Sequence, residues 1–250
     1  MRVKELWRYP VKSMLGEELD QAEVGELGVG GDRRLAVLDA ASGLSLSAKR
    51  YGELLSCRTR TSAGRVFVGF PDGTELPAGS AETAGRLSDM LDRRVIIGSR
   101  QDVDRVRHEF AVDSATGEGG PRVVEAPLQA FFDGAAVHLI STSTLNELAR
   151  LAKGSRFERA RFRPNILAQS DEVGFVEHGW VRQELQIGEV RFDVFDHKTR
   201  CVMTTRPQGD LPRDPDIFKT VVRNNQRRAG VSLRALNHGF IRAGDPVTLA

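Results

Sequence analysis

The chain has 250 residues, 40% hydrophobic and 28% charged, with a formal net charge of +2. That length holds one or two packed domains, and the composition is ordinary for a globular protein. So small a charge gives no argument for a nucleic-acid or acidic-membrane partner, and no stretch approaches the roughly 20 apolar residues of a membrane span.

The N-terminus, MRVKELWRYPVKSMLG, has no apolar core of signal-peptide length, which predicts a cytoplasmic protein with no membrane partner. In the first hundred residues VKELWRYP, RLAVLDA, RVFVGF and RVIIGS read as strands. The Gly-rich turns GELGVGGD (25–32) and PDGTELPAG (71–79) break them. One helix fits residues 80–92, with Ser80 as N-cap and Ala84, Leu87 and Leu91 at helical spacing. Residues 113–127, DSATGEGGPRVVEAP, read as a mobile binding loop or lid. VHLIST then predicts a strand, and Thr142 to Lys153 a helix capped from Ser141 to Ser143. RFRPNILAQ (161–169) reads as a strand entered through Pro164, and ELQIGEVRFDVF (184–195) as a hairpin around Gly188. Asp214 and Pro215 open a helix over 214–226, and FIRAGDPVTLA closes the chain as strand, turn and strand. Strands with a few helices and no βαβ alternation predict an α+β, mostly β, barrel-like architecture.

The basic residues are lopsided, 30 Arg against six Lys. Codon bias explains that; so does a set of guanidinium forks gripping a planar anion. The glycines of GVGGD lack the strand and helix context of a dinucleotide site, and there is no P-loop, H-E-x-x-H or G-x-S-x-G. The five histidines are scattered; His197 lies four before Cys201, an offset that does not establish a Cys–His pair. Cys57 and Cys201 are too few for a disulfide framework and wrongly spaced for zinc. Cys201 sits in HKTRCVMTTRPQGD, where Lys198 and Arg200 favour its thiolate, a soft metal ligand and nucleophile. One thiolate cannot build a first shell, so any metal has to arrive already chelated. A free buried cysteine, as assumed for Cys57, stays open on composition alone.

Several segments, in order, are similar to the MOSC family and to its mitochondrial amidoxime-reducing branch. They are YPVKS (9–13), GDRRLAVLD (31–39), HLISTSTLNEL with RFRPNIL, RCVMTTRPQGD followed by IFKTVVRNN, and G-x-I-x-x-GD-x-V (239–247). The resemblance spans nearly the whole chain and implies an N-terminal MOSC-associated β domain at 1–98 and a MOSC domain at 99–250. It implies a molybdenum cofactor, a pterin dithiolene with a phosphate tail, and a reductase of amidoximes, hydroxylamines and N-hydroxylated bases. Carried over by position, Cys201 looks like the metal ligand and catalytic centre. Lys12, Ser13, Arg33, Arg163, Asn165, Thr199, Arg200 and Arg223 look like cofactor-binding positions. Charge-assisted contacts to phosphate and the donor and acceptor edges of Asn suit such a ligand. Two departures stand out. Arg206 replaces an apolar residue of the relatives' motif, which bears on substrate preference. No Cys-rich ferredoxin segment follows Ala250, so electrons are expected from a separate ferredoxin, flavoprotein or cytochrome. A non-catalytic carrier of persulfide or cofactor on Cys201, and a barrel that binds nothing, are the alternatives; no pyridoxal phosphate is expected.

Overall fold

The computed structural model describes residues 1–111, 113, 119–125 and 131–250. Its first strands are β1 (Arg2–Arg8), β2 (Glu17–Leu19), β3 (Gln21–Gly25), β4 (Gly28–Val29) and β5 (Leu35–Asp39). Next come β6 (Arg58–Ser62), β7 (Arg65–Gly69), β8 (Glu75–Pro77), helix α1 (Ala81–Leu91), β9 (Val95–Ser99), β10 (Arg107–Ala111) and β11 (Pro121–Glu125). The rest of the chain forms β12 (Val137–Ser141), α2 (Thr142–Leu151), α3 (Arg159–Phe162), β13 (Ile166–Gln169), β14 (Glu184–Ile187) and β15 (Val190–Thr199). It ends in α4 (Pro215–Asn225), β16 (Arg228–Ala235), β17 (Gly239–Arg242) and β18 (Val247–Leu249). The α+β, mostly β class read from the sequence is the observed one, and the large sheet curls into a half-barrel.

That sheet has eight strands in the order β18-β14-β15-β16-β12-β13-β1-β2. All its pairings are antiparallel except β12 with β13. The first strand thus belongs to a sheet built mostly by the second half of the chain. Strand β17 crosses the other way and pairs with β3. Val3, Leu6, Val24, Leu139, Phe192, Val231 and Ile241 pack between these layers as one core. A second core forms around β5 to β9 from Val11, Met14, Leu46, Leu54, Cys57, Val68 and Leu87. A third packs α2 and α4 on the far face of the sheet through Ile140, Leu148, Leu167, Ile217 and Val221. Each core is an alternating strand face or helical stripe, which is why those segments were legible as elements.

The helix caps form as read. Ser80 Oγ accepts from the Thr83 amide at 3.1 Å, Ser141 Oγ from Thr144 at 3.0 Å, and Asp214 Oδ1 from Asp216 at 3.0 Å. Two readings need correction. Part of the 113–127 loop lies outside the described residues, but Pro121–Glu125 is a strand paired antiparallel with β10. Its β-branched Val123 and Val124 suit a ladder once a partner strand exists, which sequence does not show. RFRPN is not all strand either. Its first residues end α3, Arg163 turns the chain with a left-handed φ of 53°, and Ile166 begins the strand. Pro164 cannot continue the helix, so the chain reverses there.

Candidate functional site

A cavity of about 320 Å³ lies where loops from both halves of the chain meet, at the small end of the range for ligand pockets. The loop after β1 supplies Lys12 and Ser13, the approach to β5 supplies Arg33, and the stretch before Tyr51 supplies Ser47 and Lys49. Phe132 to Ala135 and His138 enter from the start of β12, Arg161 to Arg163 from the end of α3, and Arg227 from the end of α4. The end of β15 contributes four consecutive residues, Lys198, Thr199, Arg200 and Cys201. A regular strand would turn alternate side chains away. The register shifts between His197 and Thr199, and a 3₁₀ turn over Val202–Thr205 follows at once. That break re-aims the run toward one side, as bulges do beside active sites.

Ser13 (φ 70°), Arg33 (φ 46°), Arg163 (φ 53°) and Arg227 (φ 65°) all hold left-handed backbone. Residues other than glycine sit there at a cost, and such strain gathers at ligand sites. Tyr9 organises two of the four. The Arg33 and Arg163 guanidiniums lie 4.9 and 4.4 Å from its ring centroid, and its hydroxyl donates to the Pro164 carbonyl at 3.0 Å. Arg33 also pairs with Asp32, whose Oδ1 accepts from the Tyr9 amide at 2.8 Å.

Eight cations line the cavity: Lys12, Arg33, Lys49, Arg161, Arg163, Lys198, Arg200 and Arg227. Among the described residues Asp133 is the one carboxylate in the lining, and it bridges Lys12 and Lys49, the latter at 2.9 Å. Arg161 ends on the carbonyls of Arg156, Thr204 and Pro212 at 2.9 to 3.3 Å. Arg200 donates to the Phe162 carbonyl and lies 3.4 Å from His138 Nε2. These are neutral partners that orient charge without cancelling it. Among the described residues buried Arg163 Nη1 and Arg200 Nε have no hydrogen-bond partner.

The crowding shows in the titration of the groups. Burial pushes Lys12 and Lys198 down to about 8, with Arg200 adding to Lys198, and pushes Arg163 and Arg200 down to about 10. Burial also holds His138 well below the ordinary histidine range, helped by Arg200, Lys198 and Arg33. His138 is therefore neutral, and its Nε2 accepts from Arg200. Burial alone would lower Lys49, but Asp133 and then Cys201 outweigh it and raise it.

Of the residues expected from sequence, Lys12, Ser13, Arg33, Arg163, Thr199, Arg200 and Cys201 line this one cavity. Asn165 does not. Its Oδ1 accepts from the His138 amide and its Nδ2 donates to the Trp7 carbonyl, both at 3.2 Å, so it pins β12 to β1 behind the wall. Arg223 does not either; it lies exposed on α4, on the face turned from Ile217 and Val221. His197 meets His178 edge to face, ring centroids 4.6 Å apart, rather than Cys201. Arg206 is not in the lining: its Nη2 donates to the Lys49 carbonyl at 2.8 Å and ties the two halves together. Lys49, Asp133, His138, Arg161 and Arg227 line the cavity and were not assigned from sequence. Lys49 sits in an unremarkable SAKR, and Asp133 and His138 carry no motif. Arg161 opens RFRPN, a motif whose Arg163 and Asn165 match the family pattern and whose first residue does not stand out.

Comparison with known proteins gives this geometry a family. The MOSC N-terminal beta barrel domain matches residues 1–108, and the MOSC domain matches residues 126–248. The chain belongs to the MOSC family. MOSC domains are associated with molybdenum-cofactor-binding proteins. No curated protein matches. Among solved structures, the YUAD protein from Bacillus subtilis shares 10% identity at a TM-score of 0.51, over 98% of this chain and 93% of its own. That likeness shows the fold alone. A hypothetical protein (TM-score 0.44, 12% identity, covering 100% of this chain and 67% of that one) is more distant. So is YiiM from Geobacillus stearothermophilus (TM-score 0.33, 15% identity, 46% and 54%). No helix among the described residues of this MOSC protein is long and apolar enough to cross a membrane. Nor do the described residues hold a group of three or more His, Cys, Asp or Glu able to bind a bare metal ion.

Proposed function

We propose that this MOSC protein is a molybdenum-cofactor-dependent reductase of N-hydroxylated compounds, with Cys201 as the protein's ligand to the metal. One observation carries the reading: a half-buried thiol opens onto a cavity whose eight cations, among the described residues, meet only two carboxylates, Asp133 in the lining and Asp32 on Arg33. The donor set suits the group. Unpartnered Arg163 Nη1 and Arg200 Nε are buried donors awaiting an acceptor, and the excess charge calls for an anion such as a phosphate tail. Lys12, Ser13, Arg33 and Arg163 would hold that tail; Thr199 and Arg200 would flank the chelate. Ser13 Oγ already accepts from the Ala48 amide at 3.0 Å, which leaves its proton free to donate.

When bound, the cofactor supplies two-electron redox chemistry at molybdenum, and the protein supplies position and field. Cys201 would hold the metal from the cavity lining, on extended backbone whose carbonyl accepts from the Thr204 amide at 3.1 Å. Arg200 and Lys49 lower the energy of negative charge beside that sulfur. His138 holds Arg200 from behind as a neutral acceptor. Electrons come from a separate donor protein.

Metal analysis and turnover test this. Reconstituted with molybdenum cofactor, wild type should carry molybdenum and reduce hydroxylamine with an artificial donor, and Cys201→Ser should carry none. A loaded wild type without turnover overturns the reductase. A persulfide on Cys201 without molybdenum replaces it with a sulfur carrier.

A further inference from the structure

Asp133 is out of keeping with the site around it. A cavity that concentrates cations to receive an anion gains nothing from a carboxylate of its own, yet one sits between two of its lysines. Among the described residues that carboxylate meets only Lys12 and Lys49. The Lys12 side chain is 5% exposed and that of Asp133 39% exposed, so the carboxylate reaches in from the rim toward a deeper ammonium. Lys12 keeps a second acceptor, the Phe131 carbonyl at 2.8 Å, so it does not depend on Asp133 for a hydrogen bond. Lys49 also lies 3.8 Å from the Phe110 ring centroid, a second stabilising contact for its charge. Beside Asp133, a methyl group added at Gly134 would meet nothing within 4 Å. The Asp133 side chain is itself 39% exposed, so its carboxylate already has solvent on one side.

We infer that Asp133 is an internal competitor: its carboxylate occupies the ligand's anionic position between Lys12 and Lys49, and swings out to the rim when that ligand binds. This rests on the reading that the cleft takes an anionic ligand. Its consequence is selectivity by charge. An incoming group has to outbid one carboxylate for two ammonium ions, so a dianion displaces Asp133 far better than a monoanion does. Small monoanions are rejected, and the lysines stay paired until a suitable ligand arrives.

The test titrates sulfate and nitrate into the full chain at pH 6.5 by calorimetry, where both lysines are charged. Asp133→Asn should bind sulfate and nitrate each about ten-fold tighter than wild type, because either anion has to displace the same carboxylate. Asp133→Glu, which keeps the charge, should stay within about two-fold of wild type. A purely structural role for Asp133 would leave both affinities unchanged or weaken them. Equal sulfate affinity in wild type and Asp133→Asn overturns the competitor and leaves the anion site standing. No sulfate binding in either overturns both. A readout on the unmutated protein guards against a variant that fails to fold. Saturating sulfate should move the Asp133 carboxyl carbon resonance, and an unmoved resonance overturns the inference.

Discussion

Outside the cleft Arg60 faces Glu75 and Arg86 of α1 faces Asp72, one acid to each cation, whereas among the described residues the eight cations of the cleft share two acids, Asp133 on Lys12 and Lys49 and Asp32 on Arg33. Both sets draw on the same arginine-rich composition. The outer pairs are wet, and water and salt screen them to small value. In the cleft, burial removes the water while supplying fewer acids than cations, and Lys12 and Lys198 fall to about 8. What separates the regions is the ratio of cations to carboxylates inside one desolvated volume, not the number of cations. That ratio makes one region a closed surface and the other a receptor.

The largest expected effect comes from removing the unpartnered donors. Arg163→Met and Arg200→Met should each lower kcat/KM of the cofactor-loaded protein by about 100-fold, the loss of a buried charge-assisted contact. Losses under about three-fold would make these guanidiniums structural and break the contrast with the surface. Next in size is the support behind Arg200. Gly230 has a φ of +85°, and a Cβ there would stand 2.5 Å from His138 Nε2 and 2.5 Å from the Leu139 carbonyl oxygen. Gly230→Ala should destabilise the fold by roughly 2 kcal/mol in urea melts, through backbone strain and a displaced His138. A change under about 0.5 kcal/mol would mean the neutral scaffold behind the cations is soft.

A pH series sharpens the comparison further. Lys12 and Lys198 are protonated below about 8 and lose charge as pH rises through it. Sulfate affinity should therefore be full at pH 6.5 and fall by about ten-fold between pH 7 and 9. The stability term has the opposite sense. The folded values lie below those of the unfolded chain, so the penalty for burying both charges is complete below about pH 8. It is relieved as pH rises from there toward the ordinary lysine value of 10.5. A sulfate affinity flat from pH 6.5 to 9 would place the binding charge on the arginines alone.

Much of the cleft was legible because its residues travel in local motifs. YPVKS, DRR, RFRPN and TRC each carry a lining residue, and seven of the nine positions expected from sequence meet in one cavity. The two that do not, Asn165 and Arg223, fail for different reasons. Asn165 has the right chemistry and neighbourhood but spends both ends of its amide on backbone. Arg223 is one helical position from exposed Val222 and two from buried Val221, a phase that a short apolar stripe defines poorly. Short runs rich in Val, Leu and aromatics, such as RLAVLD and RVFVG, could be read directly. The pairing of β1 with β13, 160 residues on, could not, because long-range register leaves no local trace. Asp133 was illegible for the same reason: its meaning is its distance to two lysines that lie far from it in the chain.

The smallest expected effect is the control that gives the others meaning. Arg60 stacks over Phe67 at 4.8 Å and Arg86 over Phe70 at 4.3 Å, so each covers an aromatic ring as well as pairing with an acid. Methionine keeps the apolar cover and removes only the charge. Arg60→Met with Arg86→Met should shift Tm by less than about 2 °C and leave sulfate affinity within about two-fold of wild type. At physiological salt a surface charge is screened over about 8 Å, so it should not reach the cleft. If the double variant weakened sulfate by about ten-fold or more, charge would be acting through the whole molecule. The cleft's excess of cations over carboxylates would then explain nothing that net charge does not.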